Sequence, residues 1–372
     1  MRVVLIALHF AEYAARLALA LALSDEHEVL LILRADNANN ELSPRLYDDL
    51  TRKVQVHCVE HRMLKQPSVA GAALRIVRRV VTFHPDAVHA QEQMTDYGCW
   101  ALLWLMRRYP TVLTVHDHVS HSGVDSKIPM RKKFYLKQIR KRAQHIIVHG
   151  ECIRQELVAT RIRDLASVSS IMHGVLGVDK LCADTGYPLG SPSLLFFGRV
   201  EAYKGLGVLL DALDLLRSES SLAVRLVVAG RGSDLDQYRA RIAADKNVEL
   251  LDRYIAPEEI SDLFARNTVV VLPYIDATQS GVAALAFACG RPVIASATGA
   301  LPEVVRDGET GLLVPPNDAA ALANAIHRLL TDRALWKLLA DGAHALATGD
   351  LSWPSIADKT TNAYLATVAF QR

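Results

Sequence analysis

The stretch SLLFFGRVEAYKG, Ser193 to Gly205, decides how the chain folds. Its first five residues form the short, nearly all-apolar run expected of a parallel strand covered on both faces. Gly198 follows, where a missing side chain lets a ligand approach the backbone, and Arg199 and Lys204 place two cations before the helical run KGLGVLLDALDLLRS. A strand handing over to a helix through such a turn is the unit of a doubly wound α/β domain. Two cations and a helix N-terminus at the mouth of that turn suit an anion, phosphate above all. The competing reading is a solvated turn with incidental charges.

The same alternation runs from end to end. Strand-like runs in the first half are RVVLIAL, EVLLILR, KVQVHCV, DAVHAQ, TVLTVHD and HIIVHG. The second half adds AVRLVVAG, VELLDRY, TVVVLPY and RPVIAS to the opening stretch. The sequence therefore predicts an α/β chain of two Rossmann-like, doubly wound domains. The boundaries expected are 1–180 and 181–350, with LCADTGYPLGSPS as linker and a C-terminal helix over 351–372.

Whole-chain charge is only +2, which speaks against a nucleic-acid partner. Its distribution is uneven: residues 1–180 hold 25 basic and 18 acidic side chains, while 181–372 hold 17 and 22. The five cysteines are scattered, with no CxxC pair and no zinc-finger spacing, so a reducing cytoplasm is the expected setting. The N-terminal run has a leader-like composition, yet His9, Glu12 and Arg16 interrupt it. A strand over Val3 to Leu8 and a helix over residues 12–23 account for them better. No run reaches the ~18 apolar residues of a membrane-spanning helix.

The segments GRVEAYKG, VVAGRGSD, VVVLPY and ACGRPVIASATGALPEVVRDGETGLLVPPND, in this order and spacing, resemble the retaining glycosyltransferases of family four. PDAVHAQ, TVLTVHD and IIVHGE extend the resemblance loosely into the first half. It implies the GT-B fold, two Rossmann-like domains facing across a cleft, with a nucleotide sugar held mainly by the C-terminal domain. It also implies no cofactor and no metal, because basic side chains and helix N-termini neutralise the departing diphosphate. By position, Arg199 and Lys204 match the family's diphosphate-gripping pair, and Arg231 in AGRGS lies near the nucleotide. His116 matches a histidine placed near the donor sugar, although on its residues alone a lone histidine after a strand reads as structural. Gly299 and Glu303 match a loop beside the donor, Glu303 being equally a first-turn acid favoured by a helix dipole. The C-terminal helix of the family commonly crosses back onto the N-terminal domain.

One departure stands out. Many members carry a Glu, seven residues and a second Glu, but those positions are Ala277 and Leu285 here. DATQSG, Asp276 to Gly281, resembles a variant that replaces the pair. Free N–H groups at the following helix start can receive a phosphate, Gln279 and Ser280 add donors, and Gly281 permits close approach. Asp276 can accept from sugar hydroxyls. The plain alternative is that Ser or Thr caps a core helix. The family's glycine-rich loop after the first strand is also missing, HFAEYAARL standing in its place.

The acceptor side is less legible. His118, His121 and Asp117 share a loop with His116, and MRKKFYLKQIRKRA carries seven cations with Leu136, Ile139 and Ala143 at helical spacing. Such a helix over 131–142 suits contact with an anionic membrane at its inner face, or a solvated face with its apolar side in the core. Glycan, lipid-linked and small-molecule acceptors stay open. The reading reached is a metal-independent transferase moving a sugar from a UDP- or GDP-sugar to a hydroxyl. A non-catalytic nucleotide- or glycan-binding scaffold and a nucleotide-sugar epimerase are its competitors.

Overall fold

The computed structural model describes residues 1–60, 69–92, 96–116, 130–161, 164–178, 186–188, 190–277 and 280–369. The expected contributions of Asp117, His118, His121, Thr278 and Gln279 lie outside the described residues. The chain divides into two compact units, one built of Met1–Val119, Lys127–Gly174 and Ser352–Arg372, the other mainly of Val175–Leu351.

The first unit holds seven strands: β1 (Arg2–Ala7), β2 (Glu28–Arg34), β3 (Gln55–Val59), β4 (Ala87–Gln91), β5 (Thr111–Val115), β6 (His145–Val148) and β7 (Val168–Ser170). All pair in parallel in the order β3-β2-β1-β4-β5-β6-β7. The second holds β8 (Ser193–Phe197), β9 (Arg225–Ala229), β10 (Val248–Leu251), β11 (Val269–Leu272), β12 (Val293–Ser296) and β13 (Gly311–Val314), again all parallel, in the order β10-β9-β8-β11-β12-β13. Each sheet is doubly wound, as the alternating pattern requires. The strand order reverses between β1 and β4 in one and between β8 and β11 in the other, and such a reversal opens a crevice at the carboxyl ends of the strands.

The predicted strands all form, because β1, β2, β4, β5, β6, β8, β9, β11 and β12 are buried almost throughout. The N-terminal run is strand then helix (Ala11–Leu23), whose Tyr13, Leu17 and Leu21 face inward. In the second unit Trp336 sits at the core among Leu209, Leu213, Val271 and Ile326 and donates its indole N–H to Thr268 O at 2.8 Å.

The C-terminal helix Trp353–Ala369 belongs to the first unit and buries Ile356, Ala363 and Tyr364 there. Its Thr361 hydroxyl lies 3.0 Å from His27 Nε2, and its Tyr364 hydroxyl 2.7 Å from His89 Nδ1. His89 Nε2 meets Thr114 Oγ1 at 2.7 Å, so both ring nitrogens are used and the imidazole is fully enclosed. Burial, with a smaller contribution from the charge of His145, lowers its pKa to about 3.

Tyr364→Phe leaves a buried imidazole nitrogen unpaired and should lower stability by about 1–3 kcal/mol in urea titrations of the full chain. Unfolded histidine binds a proton near pH 6.5, while His89 in the folded unit binds one only near pH 3. Between those values protons favour the unfolded chain, so stability falls as pH falls. The loss at pH 4 should be on the order of a few kcal/mol, and His89→Gln should reduce this pH dependence.

Candidate functional site

The second unit brings its predicted residues together at the crossing between β8 and β11. After β8 the chain makes a short turn, Ala202–Lys204, and enters the helix Leu206–Glu219. After β11 it runs through Pro273 and Tyr274 towards the helix Gly281–Ala288. One backbone bond, from Ile275 N–H to Tyr203 O at 2.7 Å, ties the two connections to each other. The turn after β9 joins them, with Val200 N–H donating to Arg231 O at 3.2 Å and Ala202 N–H to Asp234 Oδ2 at 2.7 Å. Two glycines make these approaches possible. A Cβ on Gly205 would stand 1.9 Å from Pro273 O and one on Gly230 2.0 Å from Gly198 O, and both residues have positive φ (70° and 136°). No L side chain fits either position without displacing a neighbouring backbone.

Within this frame Lys204 Nζ lies 3.8 Å from the ring centroid of Tyr274 and 5.2 Å from that of Tyr203. A cation over a ring face is held in place without losing its charge to a carboxylate. Arg199 is exposed and, among the described residues, has no ion-pair partner. Arg231 and Asp276 are also exposed. Gly198 faces the start of the Gly281–Ala288 helix, its built Cβ meeting Val282 Cγ2 at 4.0 Å.

Ser280 occupies the N-cap position of that helix, yet its hydroxyl makes no cap bond. It lies 3.2 Å from the Tyr274 hydroxyl instead. Among the described residues, the first amides of the helix therefore lack the side-chain acceptor that usually satisfies them. Among the described residues, a Cβ on Gly281 would meet nothing within 4 Å. Gly299, with φ 53°, and Glu303 follow β12, one strand further along.

His116 belongs to the first unit, just after β5. It is buried, donates from Nε2 to Gln91 Oε1 at 2.7 Å and stacks on Phe10 with ring centroids 3.9 Å apart. Its Nδ1 has no hydrogen-bond partner among the described residues. Burial first, then the charges of His149, His173 and His89, holds its pKa well below the usual histidine range, so the ring is neutral at pH 7. Phe10 adopts a left-handed conformation (φ 59°) at the turn where the family's glycine-rich loop was expected and found missing.

Sequence reasoning did not assign Tyr203 or Tyr274, although VVVLPY ends on the latter. Nor did it assign Phe10, Tyr13, His149 or His173, which surround His116. Tyr274 and His149 close strand runs, whereas Tyr203, Phe10, Tyr13 and His173 lie on turns or a helix where no sequence signal marked them.

Residues 191–332 match a family profile described as Glycosyl transferases group 1, and residues 11–175 match Glycosyltransferase Family 4. The chain belongs to glycosyltransferase family 4. As a family 4 member it is a retaining glycosyltransferase that draws on nucleotide-sugar donors. It is 31% identical over 306 residues to a D-inositol 3-phosphate glycosyltransferase of Streptomyces bingchenggensis, covering 75% of this chain and 66% of that protein. A glycogen synthase of Mycobacterium tuberculosis is 29% identical over 315 residues, 82% of this chain and 74% of its own. Among solved structures, HepE of Anabaena in complex with UDP superposes with a TM-score of 0.71 over 98% of this chain and 100% of that one, at 19% identity. The family 4 fold, GT-B, is thus the one the two doubly wound sheets build. Among the described residues no helix is long and apolar enough to cross a membrane.

Gly205→Ala should lower the thermal midpoint by at least roughly 2–4 °C, since it combines a strained φ with a backbone clash. Gly281→Ala, with nothing within 4 Å of its Cβ among the described residues, should leave the midpoint unchanged or raise it. Scanning fluorimetry on the two variants checks the contrast.

Proposed function

We propose that the chain transfers a hexosyl group from a UDP-sugar to an acceptor hydroxyl, with no metal in the transfer step. The observation that carries this reading is Lys204, its ammonium fixed over Tyr274 at the strand crossing, beside the start of the Gly281–Ala288 helix. HepE has been solved with UDP and with UDP-glucose, which favours uridine over guanosine as the base.

When the bond between the anomeric carbon and the diphosphate breaks, negative charge grows on the leaving oxygen. In this proposal Lys204, Arg199 and the first amides of the Gly281–Ala288 helix stabilise that charge, and Arg231 reaches the base or a phosphate. Gly198 and Gly281 let the diphosphate approach the backbone. Asp276, Gln279 and Ser280 hold the sugar and phosphates in place of the missing glutamate pair, and Gly299 and Glu303 line the donor. No residue of this set is placed as a covalent nucleophile. The new bond to the acceptor oxygen forms on the face the phosphate leaves, and the acceptor's proton passes to the departing phosphate oxygen.

The exposed aromatics of the first unit favour a membrane-associated acceptor. Trp100 and Trp104, 39% and 43% exposed, lie one turn apart on the helix Asp96–Leu105, and Phe134, 58% exposed, lies on the basic helix Met130–Arg142. Trp100 donates its indole N–H to Tyr135 at 3.1 Å, joining the two helices, while Ile139 turns inward and Arg140 pairs with Glu92. The outer side presents Lys133, Phe134 and Lys137. Apolar rings beside lysines suit the surface of an anionic leaflet, so we assign the acceptor to that surface.

Arg199→Ala and Lys204→Ala should each lower kcat by about 10²–10³-fold, with the fold intact by circular dichroism. Near-normal turnover by both variants overturns the assignment of the diphosphate site. UDP should raise the thermal midpoint more than GDP or ADP at equal concentration. For the surface, wild-type protein should sediment with vesicles of phosphatidylglycerol and not with phosphatidylcholine alone, and Phe134→Ser with Trp104→Ser should weaken that binding.

A further inference from the structure

We propose that Asp234 is a positioning residue for the transfer reaction: its carboxylate holds the segment that carries Arg199 and Lys204, and so sets where the two cations meet the diphosphate. The inference rests on the reading of those cations as the diphosphate site. Asp234 lies half-buried on the connection that leaves β9, while Arg199 and Lys204 lie on the connection that leaves β8. β8 and β9 are neighbours in the sheet, so the two connections run side by side.

Asp234 holds the facing segment at two points. Its own N–H donates to Val200 O at 3.2 Å, and its Oδ2 accepts from Ala202 N–H at 2.7 Å. Between them the neighbouring Ser233 hydroxyl donates to Glu201 Oε2 at 3.0 Å. Gly232 lets the segments come this close, since a Cβ there would stand 2.1 Å from Val200 O. The same turn is tied again by Tyr203 O, which accepts from Ile275 N–H at 2.7 Å. Lys204 therefore follows two consecutive residues that are each fixed by a hydrogen bond, one to the connection after β9 and one to the connection after β11.

The Asp234 side chain is spent on an amide and not on a cation. Arg199, Lys204 and Arg231 stand on these two connections, and among the described residues none of them is ion-paired with a carboxylate. Like charges on neighbouring segments repel, so the turn needs a hold that leaves their charge to the ligand. A carboxylate accepting from a backbone N–H supplies it, at about twice the strength of a bond between neutral groups. Ala202 is exposed, so water replaces the carboxylate when it is removed and the fold survives. What is lost is the placing of the turn, and a shift of about 1 Å in a binding group costs up to roughly 10²-fold.

The test measures the UDP affinity of the full chain by calorimetry, with folding checked by circular dichroism. Asp234→Ala should weaken UDP binding by roughly 10-fold or more, while Asp234→Asn, which keeps an acceptor oxygen, should stay within about 3-fold of wild type. In a Lys204→Ala background Asp234→Ala should add a loss of about 3-fold or less, because its effect runs through the same turn. Asp332→Ala is the control: it removes a like bond, from Leu335 N–H at 2.9 Å, elsewhere in the unit, and should lower the thermal midpoint with UDP affinity unchanged. If Asp234→Ala fails to fold, Asp234→Ser, one bond shorter, takes its place. Asp234→Ala binding UDP as tightly as wild type, or losing affinity equally in both backgrounds, overturns the inference. Arg199→Ala and Lys204→Ala separate it from the reading beneath. If both bind UDP as wild type does, or wild type does not bind UDP, that reading falls and the positioning role with it. If they weaken binding and Asp234→Ala does not, only the positioning role falls.

Discussion

The hydrogen bond from Ile275 N–H to Tyr203 O joins two chain segments that leave the sheet from adjacent strands and head for different helices. It forms only because Gly205 has no side chain, since Pro273 O fills the place where a Cβ would stand. Once the two connections are joined, Tyr203 and Tyr274 flank Lys204, and the Tyr274 hydroxyl draws Ser280 away from capping the helix. A cation is thus fixed, and a helix start is left without its usual cap, by one backbone contact. The placing of Lys204 is a property of how two loops meet more than of any single charged residue.

The first unit solves its own strand crossing differently. Where a run of glycines would leave bare backbone after β1, this chain has Phe10 in a left-handed conformation that costs roughly 1–2 kcal/mol for a residue with a side chain. Its ring packs on His116, and that contact helps offset the strain. An aromatic wall stands there in place of bare backbone.

Most of the fold was legible in the sequence because buried parallel strands admit little except Val, Leu, Ile and Ala. RVVLIA and EVLLILR could not be read otherwise. The two strands absent from that reading, β7 (VSS) and β13 (GLLV), are sheet edges of three and four residues, too short and in one case too polar to give a periodic signal. In the candidate site Arg199, Lys204 and the helix start at Gly281 were legible because a turn between a strand and a helix has few places to put a cation. The tyrosines around Lys204 and the histidines around His116 were not. Each is one residue on a connection that leaves a strand, and only the order of strands in the sheet makes neighbours of them. Ser280 shows a further limit, since its residue type predicts a cap while its hydroxyl finds a tyrosine within reach.

His89 and Tyr364, partners in the core of the first unit, are 275 residues apart in the chain. Everything that builds the second unit is made between them. At about 5–20 residues per second a ribosome needs roughly 15–55 s to travel that distance. For all of that time the nascent first unit carries an imidazole without its phenol and an apolar groove without the helix that closes it. The second unit, built mainly of Val175–Leu351, can complete itself first. The order of assembly therefore runs against the order of synthesis, and the helix Trp353–Ala369, made after all of Val175–Leu351, finishes a unit whose strands were made before it.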